Sequence, residues 1–228
     1  MERKMKIDTH THTSGVSFCS EVAPEQYVQR YRDEGYGAVL LTNHYSRLYM
    51  FRYGETWDKQ IKIYLDEYRK AKRAGESIGL PVMLGAEVAI STPKSLYIEF
   101  LLYGADEEFF LANPRLYDKS QAELYKICND NGVLMFQSHP FRDEQGHFPQ
   151  DPEFLDGTEI NCHPYYLRHE DKVREFADKN NLMIVCGSDF HYGYQAGIAA
   201  TIVPDCVTDS KKFAEYLRKN PRPEIFIK

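Results

Sequence analysis

Short apolar runs recur along the chain and are separated by longer polar or amphipathic segments. Eight of these runs are predicted to be strands: MKIDTH, GAVLLTNH, PVMLGAEVAI, LYIEFLLYG, GVLMFQSH, GTEINCH, NLMIVCGSDFH and AATIVP. Nearly continuous apolar strands are typical of sheets that are covered on both faces, or of barrels surrounded by helices. The pattern therefore predicts an α/β protein with buried strands.

Segments with helical spacing lie between these runs. In TWDKQIKIYLDEYRKAKRAG, the large side chains Trp57, Ile61 and Tyr68 recur on one helical face. SQAELYKICNDNG has a similar pattern and ends at Asn131-Gly132, which is typical of a left-handed helix cap. Repeated alternation of strand and helix predicts parallel strands joined by right-handed crossovers.

Residues that can bind a metal ion fall at the C-terminal ends of the predicted strands. They are His10, His12, His44, Glu87, His139, His163, Asp189 and His191. In a parallel barrel these strand ends lie on one rim, whereas in an open sheet many of them would be too far apart to meet. We therefore expect a barrel with a metal site on its C-terminal rim. The two remaining histidines, His147 and His169, lie off this pattern and are predicted to be surface residues.

The predicted ligands combine imidazole nitrogens with carboxylate oxygens. This combination suits Zn, Mn or Fe(II) better than Mg or Ca, which prefer oxygen ligands throughout. The set is too large for one ion, and Glu87 is the natural bridge because a carboxylate can hold two cations about 3.5–4 Å apart. A metal-bound hydroxide between the ions would then be the nucleophile of a hydrolytic reaction.

Composition and charge narrow the possible classes of protein. The chain has 228 residues and a formal net charge of −6, so we expect one domain over 1–228 and no broad basic surface for long duplex nucleic acid. No apolar run has the length of a signal peptide or a membrane span, which favours a cytoplasmic protein without a membrane partner. The five widely spaced cysteines are expected to be reduced thiols. No sequence feature indicates an oligomeric state.

Five short motifs together resemble a known family. DTHTH, TNH, GAE, SHPFR and GSDFH, in this order, are similar to the polymerase-and-histidinol-phosphatase (PHP) superfamily of metal-dependent phosphoesterases, and the resemblance extends from Asp8 to His191. It implies a distorted, TIM-like (β/α)7 barrel with two or three divalent transition-metal ions (Zn, Mn or Fe) at the C-terminal rim. The implied activity is hydrolysis of a phosphate ester.

The resemblance also implies a set of ligands. The first ion would be held by His10, His12, Glu87 and Asp189. Glu87 would bridge to a second ion held by His139, and a third ion would be held by His44 and His191 together with a further ligand. Asp8 is expected to orient either a ligand imidazole or the strand end without contacting an ion itself.

Two positions depart from the family pattern. The family places an acidic residue or a histidine several residues beyond its His-x-His pair, and Glu21 is the match here, although the spacing is longer than usual. The alternative role of Glu21 is a charge near the N-terminus of the helix beginning around Pro24. Glu99 stands where many members have a histidine. Either Glu99 supplies an oxygen ligand, or His163 takes that place, or the ion is held weakly.

Further residues are candidates for handling the substrate. Arg142 is placed to donate hydrogen bonds to phosphate oxygens, or alternatively forms a salt bridge with Asp143 or Glu144. These residues belong to the loop PFRDEQGHFPQDPEF, which we expect to be exposed and to cover a site. His163 or a metal-bound water would protonate the leaving group. The loop NHYSRLYMFRYG either stacks on a ring of the substrate or covers the barrel mouth. Glu87 and Asp189 are catalytic candidates as well as ligands.

These features favour a phosphatase acting on small phosphorylated molecules, such as a nucleotide, a sugar phosphate or a histidinol-type phosphate. Two other hydrolytic functions stay open. One is a nuclease or phosphodiesterase acting on short single-stranded nucleic acid, and the other is a metal-dependent amide or lactone hydrolase. A non-catalytic domain is less favoured because nearly all of the cluster residues are present.

Overall fold

Strands and helices alternate along most of the chain in the computed structural model, which describes residues 3–92, Ser95 and 97–228. The strands of the described residues are β1 (Lys4–Thr11), β2 (Ala38–Leu41), β3 (His44–Tyr45), β4 (Val82–Leu84), β5 (Ala86–Ile90), β6 (Ile98–Tyr103), β7 (Leu134–Gln137), β8 (Gly157–Asn161), β9 (Met183–Gly187), β10 (Ala199–Pro204) and β11 (Ile225–Ile227). The helices are α1 (Pro24–Asp33), α2 (Arg47–Phe51), α3 (Trp57–Ile78), α4 (Glu107–Ala112), α5 (Gln121–Asp130), α6 (Glu170–Asn180) and α7 (Ser210–Lys219). Each predicted apolar run therefore contains a strand.

The helical patterns read from the sequence are confirmed. Helix α3 buries Ile61 and Tyr68 along one face and ends at Gly79, whose φ of +70° closes the helix in the left-handed region. Gly132, just beyond α5, has a φ of +68° as its sequence position predicted. None of the helices in the described residues combines the length and the apolar character that crossing a membrane requires.

The strands form two sheets. One has the order β11-β10-β1-β2-β4 and the other β3-β5-β6-β7-β8-β9. The chain passes directly from the first sheet to the second at two places, from β2 into β3 and from β4 into β5. On their other side, β1 and β9 are linked by an isolated bridge between Thr11 and Phe190. The arrangement is a mixed α/β fold without a closed ladder among the described strands.

The prediction of uniformly parallel strands is wrong. Strand β6 runs antiparallel to both β5 and β7, and β10 runs antiparallel to β1 and β11. One reason is the connection from Ile90 to Ile98, which is far shorter than the dozen or more residues that a parallel crossover needs. Because β6 is reversed, the start of this strand, with Glu99, lies beside the ends of its neighbours.

A glycine allows β9 to lie against β1. Gly187 ends β9, and a Cβ atom at this position would lie 2.6 Å from the Cβ of His10 and 3.0 Å from its backbone nitrogen. Backbone hydrogen bonds just beyond this contact join the two segments, from His12 N to Phe190 O (3.0 Å) and from Phe190 N to His10 O (3.2 Å). Gly187 therefore sets the separation between the His-x-His segment and the segment that carries Asp189.

We expect Gly187→Ala to destabilise the fold by about 1–3 kcal/mol, because the added methyl group overpacks a rigid contact between backbones. Chemical denaturation would measure the loss. Glu175→Ala, a substitution of an exposed side chain on α6, is the control. Equal free energies of unfolding for the two variants would contradict the role assigned to Gly187.

Candidate metal centre

The predicted metal-binding residues converge on one buried cluster, with the exceptions of Glu21 and His163. Four overlapping groups have ligand atoms within 4.8 Å of one another. They are His10/His12/Asp189, His12/His44/His191, His44/Glu87/Glu99 and Glu99/His139/His147. We call the second of these the outer histidine group, because the side chains of His44 and His191 reach the cavity beside the cluster. Residues separated by up to 181 positions (10 to 191) thus share one site.

Glu87 occupies the middle of the cluster and is completely buried. Its Oε1 lies 3.1 Å from the Nε2 atoms of both His10 and His139. Its Oε2 lies 2.8 Å from Nδ1 of His44 and 3.5 Å from Nε2 of His12. The two oxygens face different pairs of histidines, as a carboxylate that bridges two cations requires.

Asp189 forms a second anionic centre beside Glu87. Its Oδ1 lies 3.4 Å from Nε2 of His10, from Nε2 of His12 and from Nδ1 of His191. Its backbone φ is +53°, and His139 has a φ of +30°. Positive φ is uncommon for residues other than glycine, and such strain is concentrated at functional sites, where the surrounding structure holds it.

Several converging atoms lie close to one another but make no hydrogen bond of acceptable geometry among the described residues. They are Nε2 of His10 and His12, Nδ1 of His44, Oε2 of Glu87 and Oε1 of Glu99. Buried polar atoms are almost always paired, because an unpaired one forfeits its hydration without compensation. Divalent cations would satisfy these nitrogen and carboxylate donors together. The residues present therefore fit the ions that the sequence implied.

The protonation states of Glu87, Asp189 and His12 suit metal binding. Burial would lower the pKa of His10 and His44, but the neighbouring carboxylates outweigh it and raise the pKa, and a bound cation would displace the extra protons. Burial by itself would raise the pKa of Glu87, but the neighbouring His10 and His44 outweigh it, so the pKa lies well below its usual value. Burial would likewise raise the pKa of Asp189, but His10 and Arg142 hold it well below the usual value. Burial lowers the pKa of His12, and His44 and His191 lower it further. Ionised carboxylates and a neutral imidazole are the forms that bind cations.

Glu159 is a site residue that the sequence analysis missed. Its carboxylate accepts from Nδ1 of His10 at 2.8 Å and is fully buried. This contact places the proton of His10 on Nδ1 and leaves Nε2 to face Glu87 and Asp189, the carboxylate–histidine–metal arrangement common around bound ions. A signal was present, since an acidic residue within the apolar strand GTEIN needs a buried partner.

Two further histidines are held in orientation by contacts to their Nδ1 atoms, on the side of the ring away from Glu87. Nδ1 of His12 lies 3.2 Å from the hydroxyl of Ser17, which in turn donates to Oδ1 of Asn43 at 2.9 Å. Nδ1 of His139 lies 2.8 Å from Nδ1 of His147. His147 is buried, so its prediction as a surface residue is wrong. The reason is that its loop folds back over β7 and packs this ring against that of His139.

Glu21 does not reach the cluster. It is exposed, and its backbone N–H donates to the carbonyl of His191 at 3.0 Å. Asp8 is buried behind the site, where it accepts from the hydroxyl of Tyr31 and from the backbone N–H groups of His10 and Ser188. Asp8 thus holds the strand end, one of the two roles expected for it.

Arg142 forms its shortest side-chain hydrogen bonds with residues of the cluster, besides a longer one to Gln145 in its own loop (3.4 Å). Its Nη2 donates to Oδ2 of Asp189 at 2.8 Å and to Oδ1 of Asn161 at 2.7 Å. The guanidinium also lies over the ring of Tyr166, 4.1 Å from its centroid. The expected alternative, a salt bridge with an acidic neighbour in the loop, is therefore replaced by an ion pair across the site.

A cavity of about 600 Å³ opens beside the cluster. Tyrosines form much of its wall: Tyr49, Tyr97, Tyr165, Tyr166 and Tyr192. His163 also lines it but belongs to none of the four ligand groups of the described residues. Burial lowers the pKa of His163 to about 4.

Few side chains of the loop after His44 reach the cavity. Tyr45 and Tyr53 are buried in the core, and Arg47 forms an ion pair with Asp118. Tyr49 is the ring of this loop that lines the cavity, and it stacks on His44 with ring centroids 4.7 Å apart.

The fold of this chain is similar to those of several proteins whose structures have been solved. A two-domain protein from Bacteroides vulgatus, described as containing a predicted PHP-like metal-dependent phosphoesterase, superposes with a TM-score of 0.68 at 17% identity, over 99% of this chain and 65% of that chain. This chain has the same fold. PsfC from Pseudomonas syringae gives a TM-score of 0.61 at 17% identity, over 89% of this chain and 82% of that one.

A third similar structure is an amidohydrolase from Chromobacterium violaceum with bound sulfate and no metal. Its TM-score is 0.55 at 15% identity, over 84% of this chain and 89% of that chain. No family model and no curated protein matches the sequence. The resemblance to the PHP superfamily is thus supported at the level of the fold, and this chain spans 65% of the length of the two-domain protein.

We expect Glu159→Gln to lower the affinity for the ion beside His10 by about 10- to 100-fold, the usual effect of losing a carboxylate behind a ligand histidine. Titration of the metal-free protein, followed by calorimetry, measures this change. Glu175→Gln, an exposed substitution on α6, is the matched control. If the two variants bind metal equally, Glu159 does not orient His10 for binding.

We expect Arg142→Gln to weaken metal binding by about 10- to 100-fold, because Asp189 loses its charged partner. Arg168→Gln, at an exposed arginine nearby in the chain, should retain wild-type affinity. A raised KM with unchanged metal affinity would instead show that Arg142 acts on the substrate alone, the role suggested by its sequence position.

Proposed function

We propose that the chain, as one domain over 1–228, is a metal-dependent phosphoesterase of the PHP superfamily with a distorted barrel fold. The observation that carries this proposal is the set of buried, unpaired nitrogen and oxygen atoms that converge around Glu87 and Asp189. Two or three divalent ions (Zn, Mn or Fe) would pair these atoms. The fold shared with PHP-like structures supports the same conclusion.

The ligand groups suggest how the ions would be shared. His10, His12 and Asp189 would hold one ion, with Glu87 bridging to a second held by His139 and Glu99. Glu99 fits this position better than His163, because its Oε2 lies 3.4 Å from Nε2 of His139. A third ion would lie at the outer histidine group. Glu21 is not included, since its side chain is exposed.

Bound divalent ions would supply positive charge to the oxygens of a phosphate ester and lower the pKa of a water molecule that attacks phosphorus. Residues around the ligands hold the ligand side chains in position before an ion or substrate binds. Glu159 and Ser17 set the tautomers of two ligand histidines, and Arg142 holds Asp189 in place. Preorganised charges of this kind need no rearrangement when the transition state forms.

His163 is assigned a different role from the one that its sequence position suggested. The N–H of Tyr165 donates to its Nδ1 at 3.3 Å, so the neutral ring carries its proton on Nε2. With a pKa of about 4, the ring is neutral at pH 7. We therefore assign His163 to donate a hydrogen bond to a phosphate oxygen, while solvent supplies the proton for the leaving group.

The cavity favours a small phosphorylated substrate. Its volume of about 600 Å³ is in the range of pockets for small molecules. Its tyrosines would contact the organic part of a nucleotide, sugar or histidinol-type phosphate. The same aromatic wall favours a second candidate, a phosphodiesterase acting on short single-stranded nucleic acid, where rings stack on bases.

Likeness in fold to an amidohydrolase keeps amide or lactone hydrolysis as a third candidate. One panel of assays separates the three activities. The purified protein would be tested on a phosphate monoester, a phosphate diester, a short DNA strand and an anilide. Each would be measured as purified, after chelation and after metal is restored.

We expect two or three bound ions and turnover of monoesters that chelation abolishes and metal restores. His10→Ala should lower both metal content and turnover. We expect turnover to fall by more than about 100-fold, because mutating a residue that only hydrogen-bonds to a metal ligand already lowers metal affinity or activity by about 10- to 100-fold. His169→Ala, outside the cluster, is the control. Turnover that survives complete metal removal would refute the proposal, and cleavage of diesters alone would favour the nuclease.

A further inference from the structure

Glu67 is a buried acidic residue outside the metal centre described above. It lies on α3 and is 2% exposed. Its Oε1 accepts hydrogen bonds from the hydroxyl of Thr13 and from the backbone N–H of Gly15, both at 3.0 Å, and its Oε2 lies 3.3 Å from Nζ of Lys70. A Cβ atom added at Gly15 would lie 2.2 Å from Cδ of Glu67, so a glycine is what lets the carboxylate approach the segment after β1.

Hydrogen bonds link Glu67 to a ligand of the proposed metal centre. Nδ2 of Asn43 donates to the hydroxyl oxygen of Thr13 at 3.1 Å. Oδ1 of Asn43 accepts from the hydroxyl of Ser17 at 2.9 Å, and this hydroxyl lies 3.2 Å from Nδ1 of His12. All of these side chains are buried. We call Thr13, Asn43, Ser17 and Glu67 the Glu67 network.

A backbone N–H group fixes the direction of the hydrogen bonds at the Glu67 end of the network. The N–H of Thr13 can only donate, so the Asn43 atom that it contacts at 2.8 Å is the carbonyl oxygen of the amide. The amide nitrogen of Asn43 therefore faces the hydroxyl oxygen of Thr13 and donates to it. The proton of that hydroxyl is then directed to Glu67, because a carboxylate accepts only.

A second backbone N–H group fixes the direction at the other end. The N–H of His44 donates to the hydroxyl oxygen of Ser17 at 3.1 Å. Oδ1 of Asn43 has no proton to give, so the hydroxyl proton of Ser17 belongs to the bond with Asn43. The oxygen of Ser17 is left to accept from His12, which places the proton of His12 on Nδ1.

We propose that Glu67 is a positioning residue, which acts through the Glu67 network to hold the proton of His12 on Nδ1 and leave Nε2 free for an ion. Glu159 does the same for His10 by direct contact. Buried hydrogen bonds that all point one way polarise one another, so the negative charge of Glu67 should make His12 a stronger ligand. The inference rests on the proposed metal centre and names a residue on a separate helix that tunes one of its ligands.

Zinc titration of the metal-free full-length protein, followed by calorimetry, tests this role. Glu67→Gln removes the charge and keeps the size of the side chain. We expect at least one zinc-binding step to weaken by about tenfold, the lower end of the range for a residue that contacts a ligand directly. Glu76→Gln, an exposed substitution on the same helix, should keep the wild-type affinity.

Thr13 provides a second pair of variants, which keeps the test valid if Glu67→Gln does not fold. Thr13→Val removes the hydroxyl that joins Asn43 to Glu67 and preserves the shape of the side chain. It should weaken the same zinc-binding step by about tenfold. Thr13→Ser retains the hydroxyl and should bind zinc as the wild type does.

A double-mutant cycle separates action through the network from local support of the segment after β1. Ser17→Ala cuts the network beside His12, so adding Glu67→Gln to it should lower zinc affinity no further, whereas independent effects would add. NMR gives another readout. In zinc-loaded protein with isotope-labelled histidines, the resonance of the proton on Nδ1 of His12 should move upfield in Glu67→Gln, because its hydrogen bond is weaker.

The possible results separate this inference from the proposed function. Zinc affinity and a His12 resonance that are unchanged in Glu67→Gln or, if that variant does not fold, in Thr13→Val would overturn the role of Glu67 and leave the metal centre intact. Additive losses in the double-mutant cycle would overturn it too, because Glu67 would then act without Ser17. A wild-type protein that binds no zinc would overturn both this role and the proposed function.

Discussion

The burial of Glu87 is the constraint on which the rest of the site depends. An ionised carboxylate removed from water costs several kcal/mol unless positive charge and hydrogen bonds replace its hydration. Here the replacement comes from imidazoles on three separate segments, and the nearest contacts involve His10, His44 and His139. Protons on the imidazoles of His10 and His44 can balance the carboxylate, and a bound cation would displace them. The arrangement therefore suits divalent cations.

Backbone geometry brings these segments together. The fold places β9 against β1 through Gly187, and it holds His139 and Asp189 at positive φ so that their side chains turn into the cluster. Reversal of β6 contributes Glu99 from the start of a strand rather than from its end. Two sheets that meet along one side can thus assemble a site like that of a barrel rim, although they do not form a closed ladder in the described residues.

The sequence was most informative where chemistry and local pattern coincided. His-x-His at a strand end, or Glu87 late in an apolar run, combines an unusual residue type with a position that can be read from a few neighbours. Glu159 and His147 were harder to recognise, because their roles depend on contacts with one particular partner. Glu159 touches a histidine 149 positions away, and the position of His147 depends on how its loop folds back. Strand direction was missed because apolar periodicity is the same for parallel and antiparallel strands.

The distribution of charge around the cavity has a consequence for recognition. Among the described residues that line it, Arg142 is the one arginine or lysine, and its guanidinium is already engaged with Asp189. Little protein charge is therefore available for a phosphate, and the electrostatic part of recognition would fall to the ions. Tyrosines make up much of the remaining wall, so discrimination among substrates would depend on the shape and aromatic character of the group that carries the phosphate. Affinity for the anion and selectivity for its carrier would thus arise from different parts of one cavity.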